Sequence, residues 1–374
     1  MTDWTDDAVS EAQGRATTME KGNFFEEFTE GETIEHDPGL TLSDHGNELW
    51  MSQTLNHDPA YWRSDAAQAV DFDDPPVHPD YLLASVMGPS VEDLSEKGGY
   101  FLGRDDVVVH DSEVPTGTEL RVESTVEAKR ESSSRPDYGI VTWETTGYDA
   151  ATGDPLLSYD RTNMIPRRDP MATDGGEAGR GDDGETSERA DGGRAGSDAR
   201  TDGGTASAEP DDLPAELIAP DGGYFEDFRA ALDRAADRDA AVAYRHERGR
   251  TMDDVMVATL PLATLNTAKQ HHNDDYMADS PSGEIVAYGD VTRSVALGHA
   301  RSDERTYREV AYADERFHDF VTVGDTVYGF TRVLDTNDAD DPVAGEVTFE
   351  HYAINQHDEP VYSGTRTALV QKRN

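Results

Sequence analysis

The densest cluster of side chains able to do chemistry is Asn266-Thr267-Ala268-Lys269-Gln270-His271-His272-Asn273-Asp274-Asp275. Two histidines and two aspartates so close together invite a metal reading. Adjacent side chains such as His271 and His272 diverge in regular structure, however, and no third ligand follows at helical spacing, so no metal is expected. A histidine with an ordinary pKa near 6.5 suits general acid/base work, and one of the pair is the candidate for it. The competing reading is an acidic, solvated loop. Aligned on Thr54-Leu55-Asn56 and Thr264-Leu265-Asn266, a second run reads Asn56-His57-Asp58-Pro59-Ala60-Tyr61-Trp62 and places Tyr61 where His271 stands. One copy is expected to keep the chemistry and the other the shape, with His57-Asp58 read as a turn beside Pro59. The sequence contains no G-x-x-x-x-G-K-[ST], no H-E-x-x-H and no G-x-S-x-G, and its one G-x-G-x-x-G, Gly179 to Gly184, falls in a polar Gly- and Asp-rich run with no apolar strand before it. That disfavours nucleotide binding, zinc proteolysis and serine-hydrolase chemistry.

The elements that must position these residues come in two copies. Gly22-Asn23-Phe24-Phe25-Glu26-Glu27-Phe28 recurs as Gly222-Gly223-Tyr224-Phe225-Glu226-Asp227-Phe228, and Thr41-Leu42-Ser43-Asp44 as Thr251-Met252-Asp253-Asp254. The turn at Gly117-Thr118 recurs at Gly324-Asp325-Thr326, and both copies close on paired basic residues, Arg167-Arg168 and Lys372-Arg373. Matches in the same order predict a duplication with pseudo-twofold packing. Apolar residues at helical spacing predict buried central helices over 80–87, ended or bent by Gly88-Pro89, and over 291–297. Alternation over 120–126, 140–145 and 346–352 predicts antiparallel strands with one wet face. Helix first and strands after is an α+β layout in which a sheet wraps one long helix. Between the bodies, 1–169 and 213–374, the Gly, Asp, Ser and Ala of 170–212 hold almost no large apolar side chain. They read as a disordered acidic linker and the first site of limited proteolysis.

The 374 residues carry 78 Asp+Glu against 32 Lys+Arg, a formal charge of −46. Such a field repels phosphates, so neither nucleic acid nor an anionic membrane surface is an expected partner. No apolar run approaches the length of a membrane span and the first residues lack a signal-peptide pattern, so a cytoplasmic protein is expected. Zero cysteines exclude disulfides, thiol catalysis and iron–sulfur clusters. Lysine occurs only at positions 21, 97, 129, 269 and 372. An acidic, lysine-poor surface suits molar salt, where a Debye length of about 3 Å screens self-repulsion.

In these residues the chain resembles the MaoC-like hydratases, and among them the double-hotdog 2-methylfumaryl-CoA (mesaconyl-CoA) hydratases. The carriers are residues 22–28, the helix entry from Pro76 to Gly88, the run Asn266 to His271, Ile285-Val286-Ala287-Tyr288-Gly289, and Val323-Gly324-Asp325-Thr326-Val327-Tyr328. The resemblance implies a double hotdog and a hydro-lyase that adds water reversibly to a branched dicarboxylic enoyl-CoA, giving β-methylmalyl-CoA. CoA would be part of the substrate, and no separate cofactor is implied. The wider family's Asp-x-Asn-Pro-x-His motif maps its histidine onto His271 and its aspartate onto Asn266, which can orient water but cannot accept its proton. That leaves a second proton-transfer group to be sought among Asp274, Asp275 and Tyr288. Gly289, opening a helix, would offer its N–H to the enolate oxygen. For the CoA phosphates and the substrate carboxylate the cations in view are Arg161, Arg167, Arg168, Arg293, Lys372 and Arg373. Other readings are an (R)-specific enoyl-CoA hydratase or dehydratase for linear chains, a hotdog thioesterase, and a non-catalytic acyl-CoA-binding double hotdog. Homo-oligomer formation is left open.

Overall fold

The computed structural model describes residues 6–133, 135–169, 213–338 and 341–373. The segment 170–212, read above as a linker, lies outside the described residues. In the first body α1 (Asp6–Arg15), β1 (Thr33–Thr41), α2 (Asp44–Gln53), α3 (Ser64–Gln68), α4 (Pro79–Met87) and α5 (Val91–Leu94) precede β2 (Tyr100–Val109), β3 (Glu119–Glu131), β4 (Tyr138–Asp149) and β5 (Pro155–Pro166). The second body begins with β6 (Glu216–Ile218), α6 (Phe225–Ala236), β7 (Ala240–Thr251), α7 (Asp254–Ala263), α8 (Asp274–Met277) and α9 (Gly289–Asp303). It ends with β8 (Thr306–Phe317), β9 (Thr326–Asn337), β10 (Ala344–Ile354) and β11 (Pro360–Gln371).

The strands form one 11-stranded sheet in the order β1-β3-β4-β5-β2-β8-β11-β10-β9-β7-β6. Its left and right halves repeat each other about the β2–β8 joint, where Arg104 pairs with Glu315 and Val107 with Tyr312. Each half wraps a buried helix, α4 or α9, and one apolar core runs through both bodies. This is the expected α+β double hotdog. The first helix bends as read: a 3₁₀ turn over Gly88–Ser90 separates α4 from α5. The second runs on to Asp303. The matched aromatic segments diverge, however. Phe225 opens a three-turn helix, whereas Phe25–Glu27 makes a single 3₁₀ turn. Thr29-Glu30-Gly31 follows the latter, with Gly31 at φ +81°, and stops the helix where Arg229-Ala230-Ala231 continues it.

The duplication is written into the backbone as well. Leu55 and Leu265 hold φ of 60° and 63°, a region costly for a bulky side chain. Each sits just past the end of its helix, α2 or α7. The following asparagine N–H returns to the helix, Asn56 to the Met51 carbonyl and Asn266 to that of Pro261, both at 2.9 Å. This is a Schellman closure with leucine in the place glycine usually takes. It turns each loop onto the central helix of the other body. Gly88 at the end of α4 lies under Thr264–Asn266, so a Cβ there would stand 1.6 Å from the Thr264 carbonyl oxygen; at Gly298 of α9 it would stand 2.4 Å from that of Thr54. Gly88→Ala is therefore expected to cost about 1–3 kcal/mol, by overpacking against backbone. Gly298→Ala should cost less, and denaturant midpoints of the two variants check the order.

Candidate active site

The crossing just described builds the site from both bodies. Asn266, 2 % exposed, ends the turn after α7, and its side-chain oxygen accepts the Ala268 N–H at 3.1 Å. That leaves the amide nitrogen as its functional end, a donor able to orient water. Thr267 gives its hydroxyl proton to Glu96 of the first body, 2.7 Å away. A 3₁₀ turn over Lys269–His271 then carries His271 into the interior, 3 % exposed, while His272 stays outside. His271 donates from Nδ1 to the Val286 carbonyl at 2.8 Å, which fixes the neutral tautomer with a lone pair on Nε2. Burial draws its pKa down to about 4 against the weaker opposing effect of that carbonyl, so the ring is a neutral base at pH 7.

Beside it lies the entry to α9. The rings of His271 and Tyr288 are 5.5 Å apart, and Tyr288 donates its hydroxyl to Asp290 at 2.6 Å. Burial first, and then Asp290, raise the Tyr288 pKa well above 10, so the phenol stays protonated. Gly289 opens the helix, and its N–H is one of the first-turn donors that have no acceptor within the helix. A side chain at Gly289 would strike the Phe317 ring, 2.7 Å from the place of its Cβ. Packing alone therefore selects glycine there, and the donor comes with it.

Asp290 starts a buried chain of alternating charge that crosses the joint. Arg104 joins Asp290 to Glu315 at 2.6 Å each, Arg293 joins Glu315 to Asp80, and Arg301 joins Asp80 to Glu309. Arg366 then joins Glu309 to Glu304. Burial would raise these carboxyls, but Arg301 and Arg366 hold Glu309 down to about 2, as Arg104 and Arg293 hold Glu315.

Arg293 is therefore a structural ion-pair partner, fully buried at 2.6 Å from Asp80, and does not face a ligand. Arg167 pairs with Glu26 and Glu131, Arg168 with Glu27, Arg373 with Asp227 and Lys372 with Asp338. Those strand-end cations are tied to carboxylates of their own bodies. Arg161 alone among the sequence candidates is buried without a carboxylate in ion-pair reach among the described residues. Its partners are Asn163 (2.9 Å), Ser90 (3.2 Å) and Ser95 (2.7 Å). Asp274 is exposed in the first turn of α8, and Asp275 beside it is exposed too, so neither is buried with His271. Sequence reasoning missed Asp290, Glu96 and the Val286 carbonyl. Asp290 had a signal in its match to Asp80; the other two gain their role only through folding. A surface groove lined by Leu40, Gly46, Tyr81, Thr259 and Leu262 touches none of the candidate residues.

In the first body the same positions carry an exchanged pair. The rings of Tyr61 and His78 lie 4.6 Å apart, tilted by 59°, so histidine occupies the helix entry and tyrosine the loop. Asn56 there is locked by Asp80, Arg301 and the Ser294 carbonyl. No group of three or more His, Cys, Asp or Glu able to hold a metal occurs among the described residues. No helix there is long and apolar enough to cross a membrane.

Comparison with known proteins agrees with this architecture. A Chloroflexus aurantiacus protein described as a MaoC domain dehydratase superposes with a TM-score of 0.74 at 18 % identity, covering 94 % of this chain and 98 % of its own. A Mycobacterium tuberculosis protein described as having a double hotdog fold gives 0.67 at 21 % identity, covering 93 % and 98 %. These establish the fold. A Haloarcula marismortui protein named mesaconyl-CoA hydratase is 63 % identical over 382 aligned positions, spanning 100 % of this chain and 99 % of that one. The family model described as Mesaconyl-CoA hydratase matches residues 3–372, and the chain belongs to the mesaconyl-CoA hydratase family.

Proposed function

We infer that the protein hydrates mesaconyl-CoA reversibly to β-methylmalyl-CoA, with His271 as the proton-transfer group. The observation that carries the site assignment is the neutral, tautomer-fixed imidazole beside the Gly289 opening of α9. Water held by the Asn266 amide loses a proton to His271 Nε2 as its oxygen bonds to the β-carbon. The π-electron pair moves onto the thioester oxygen, where the Gly289 N–H stabilises the enolate. The imidazolium then returns the proton to the α-carbon, which completes addition of one water. A buried imidazolium with its pKa drawn down to about 4 is a strong acid, so it gives that proton up readily. A single group thus serves both transfers, which answers the lack of a carboxylate at Asn266. Tyr288 supports the same site with its proton committed to Asp290.

The test is the loss of enoyl-thioester absorbance in molar KCl with mesaconyl-CoA and, separately, crotonyl-CoA. Faster turnover of mesaconyl-CoA is expected. Faster turnover of crotonyl-CoA would overturn the substrate assignment, and release of free CoA would mark a thioesterase.

A further inference from the structure

Arg161 has a twin, and the difference between the two is informative. In the first half Phe101 is registered with Asn163 and Arg104 with Arg161; in the second half Glu309 is registered with Ala368 and Tyr312 with Arg366. Arg161 and Arg366 are thus the same position of the repeat, as are Phe101 and Glu309. The aspartates bound by His36 and His246, Asp93 and Asp303, fix the helix ends in the same way, so Leu94 matches Glu304. Arg366 is neutralised by both of its carboxylates, with Glu309 at 2.8 Å and Glu304 at 2.7 Å. Arg161, 3 % exposed, has phenylalanine and leucine in their places. Only neutral oxygens of Asn163, Ser90 and Ser95 meet it, with the face of Trp143 5.9 Å away. Each of its nitrogens makes one bond, so two of its five N–H groups remain to be used.

A buried guanidinium without a counter-ion is costly, and the twin half removes that cost with glutamates. The location of Arg161 bears on the site. Ser90 and Ser95 lie inside the segment 88–96, whose two ends, Gly88 and Glu96, meet the Thr264–Thr267 loop. Arg104, registered with Arg161 across β2 and β5, binds Asp290 at 2.6 Å, the carboxylate that receives the Tyr288 hydroxyl at the helix entry beside His271.

Resting on the hydratase reading above, we propose that Arg161 seats the free carboxylate of the substrate, which takes the place that Glu304 and Glu309 fill in the other half. In mesaconyl-CoA that carboxylate is borne by the carbon that water attacks. A forked pair with Arg161 would both select a dicarboxylic thioester and hold the β-carbon against the water at His271. The same carboxylates that neutralise Arg366 close the corresponding place in the first body's own half-site.

The test compares mesaconyl-CoA with 2-methylbut-2-enoyl-CoA, which has a methyl group where the carboxylate stands. Arg161→Met should lower kcat/KM for mesaconyl-CoA roughly 10²-fold or more and leave the neutral substrate within a few-fold. Phe101→Glu gives Arg161 the internal partner of its twin and should lose the same discrimination, whereas Phe101→Gln, of equal size, should keep it. Equal losses on both substrates in Arg161→Met, or unchanged discrimination in Phe101→Glu, would overturn the proposal. If Arg161→Met does not fold, the Phe101 pair decides alone. A parent protein unable to hydrate mesaconyl-CoA would defeat the function reading itself, and the proposal with it, before any variant is compared.

Discussion

Replacing His271 by alanine should reduce turnover of mesaconyl-CoA by about 10²- to 10⁴-fold, the usual contribution of a positioned general acid/base. The first body cannot rescue the loss, because Tyr61 holds the matching loop position and its neighbour Asn56 is bound by Arg301 and Asp80. His272→Ala should cost far less: its ring is exposed and meets the Thr267 carbonyl at 3.0 Å, outside the buried site. Asn266→Ala should fall between them. The pH profile gives an independent check. Burial depresses the His271 pKa to about 4, so its basic form persists as pH falls through the range where a free histidine would charge. The parent kcat/KM should therefore hold between about pH 7 and 5, where an exposed histidine base would already have lost most of its activity. A decline centred near pH 6.5, or His271→Ala within a few-fold of the parent, would place the base elsewhere.

Asp80→Asn should be the most damaging change to stability, at roughly 3–5 kcal/mol. Asp80 is fully buried between Arg293, 2.6 Å away, and Arg301, and the amide would leave two guanidinium groups facing a neutral partner. The effect differs in kind from the general salt requirement of an acidic surface. Molar KCl screens surface repulsion but hardly reaches a buried pair, so high salt should not restore the variant. The acid limb also reports on the site. Burial alone would raise the Asp80 carboxyl, but Arg301 and Arg293 hold it far below the usual carboxylate range. A depressed carboxyl stabilises the fold above its unfolded pKa and loses that contribution as pH falls, so Asp80→Asn should unfold with a shallower dependence on pH below about 4. At higher pH, buried His78 and His299, drawn down by burial to about 3 and about 4, oppose the fold once the unfolded chain binds their protons, below about pH 6.5. Variant and parent should therefore run parallel between about pH 6.5 and 5 and diverge only below. Parallel curves throughout would remove Asp80 from the network's central place.

Part of the architecture is legible in the chain because it rests on local rules. Gly88-Pro89 bends α4 whatever surrounds it, and the repeated Thr-Leu-Asn ends both α2 and α7 with the same left-handed leucine. The period of the apolar residues separates central helix from wrapping strands in both bodies. The matched phenylalanines misled for the same reason in reverse: a shared motif at Phe25 and Phe225 does not make a shared helix when the residues after it differ in helix propensity.

The sequence alone determined the duplication, the α+β layout, the loop holding Asn266 and His271, and the glycine at the entry of α9, since turn chemistry and periodicity depend on near neighbours. The tertiary structure decided which charges are free. Arg161 and Arg293 are alike as letters, but Arg293 meets Asp80 from the other body while Arg161 meets only neutral oxygens. Folding likewise set the tautomer of His271 through Val286 and its low pKa through burial, and brought Glu96 to Thr267 across a separation of 171 positions. Counter-ions and desolvation are properties of what packs around a group, and here the packing is made by strands and helices about two hundred residues apart, which no local pattern encodes.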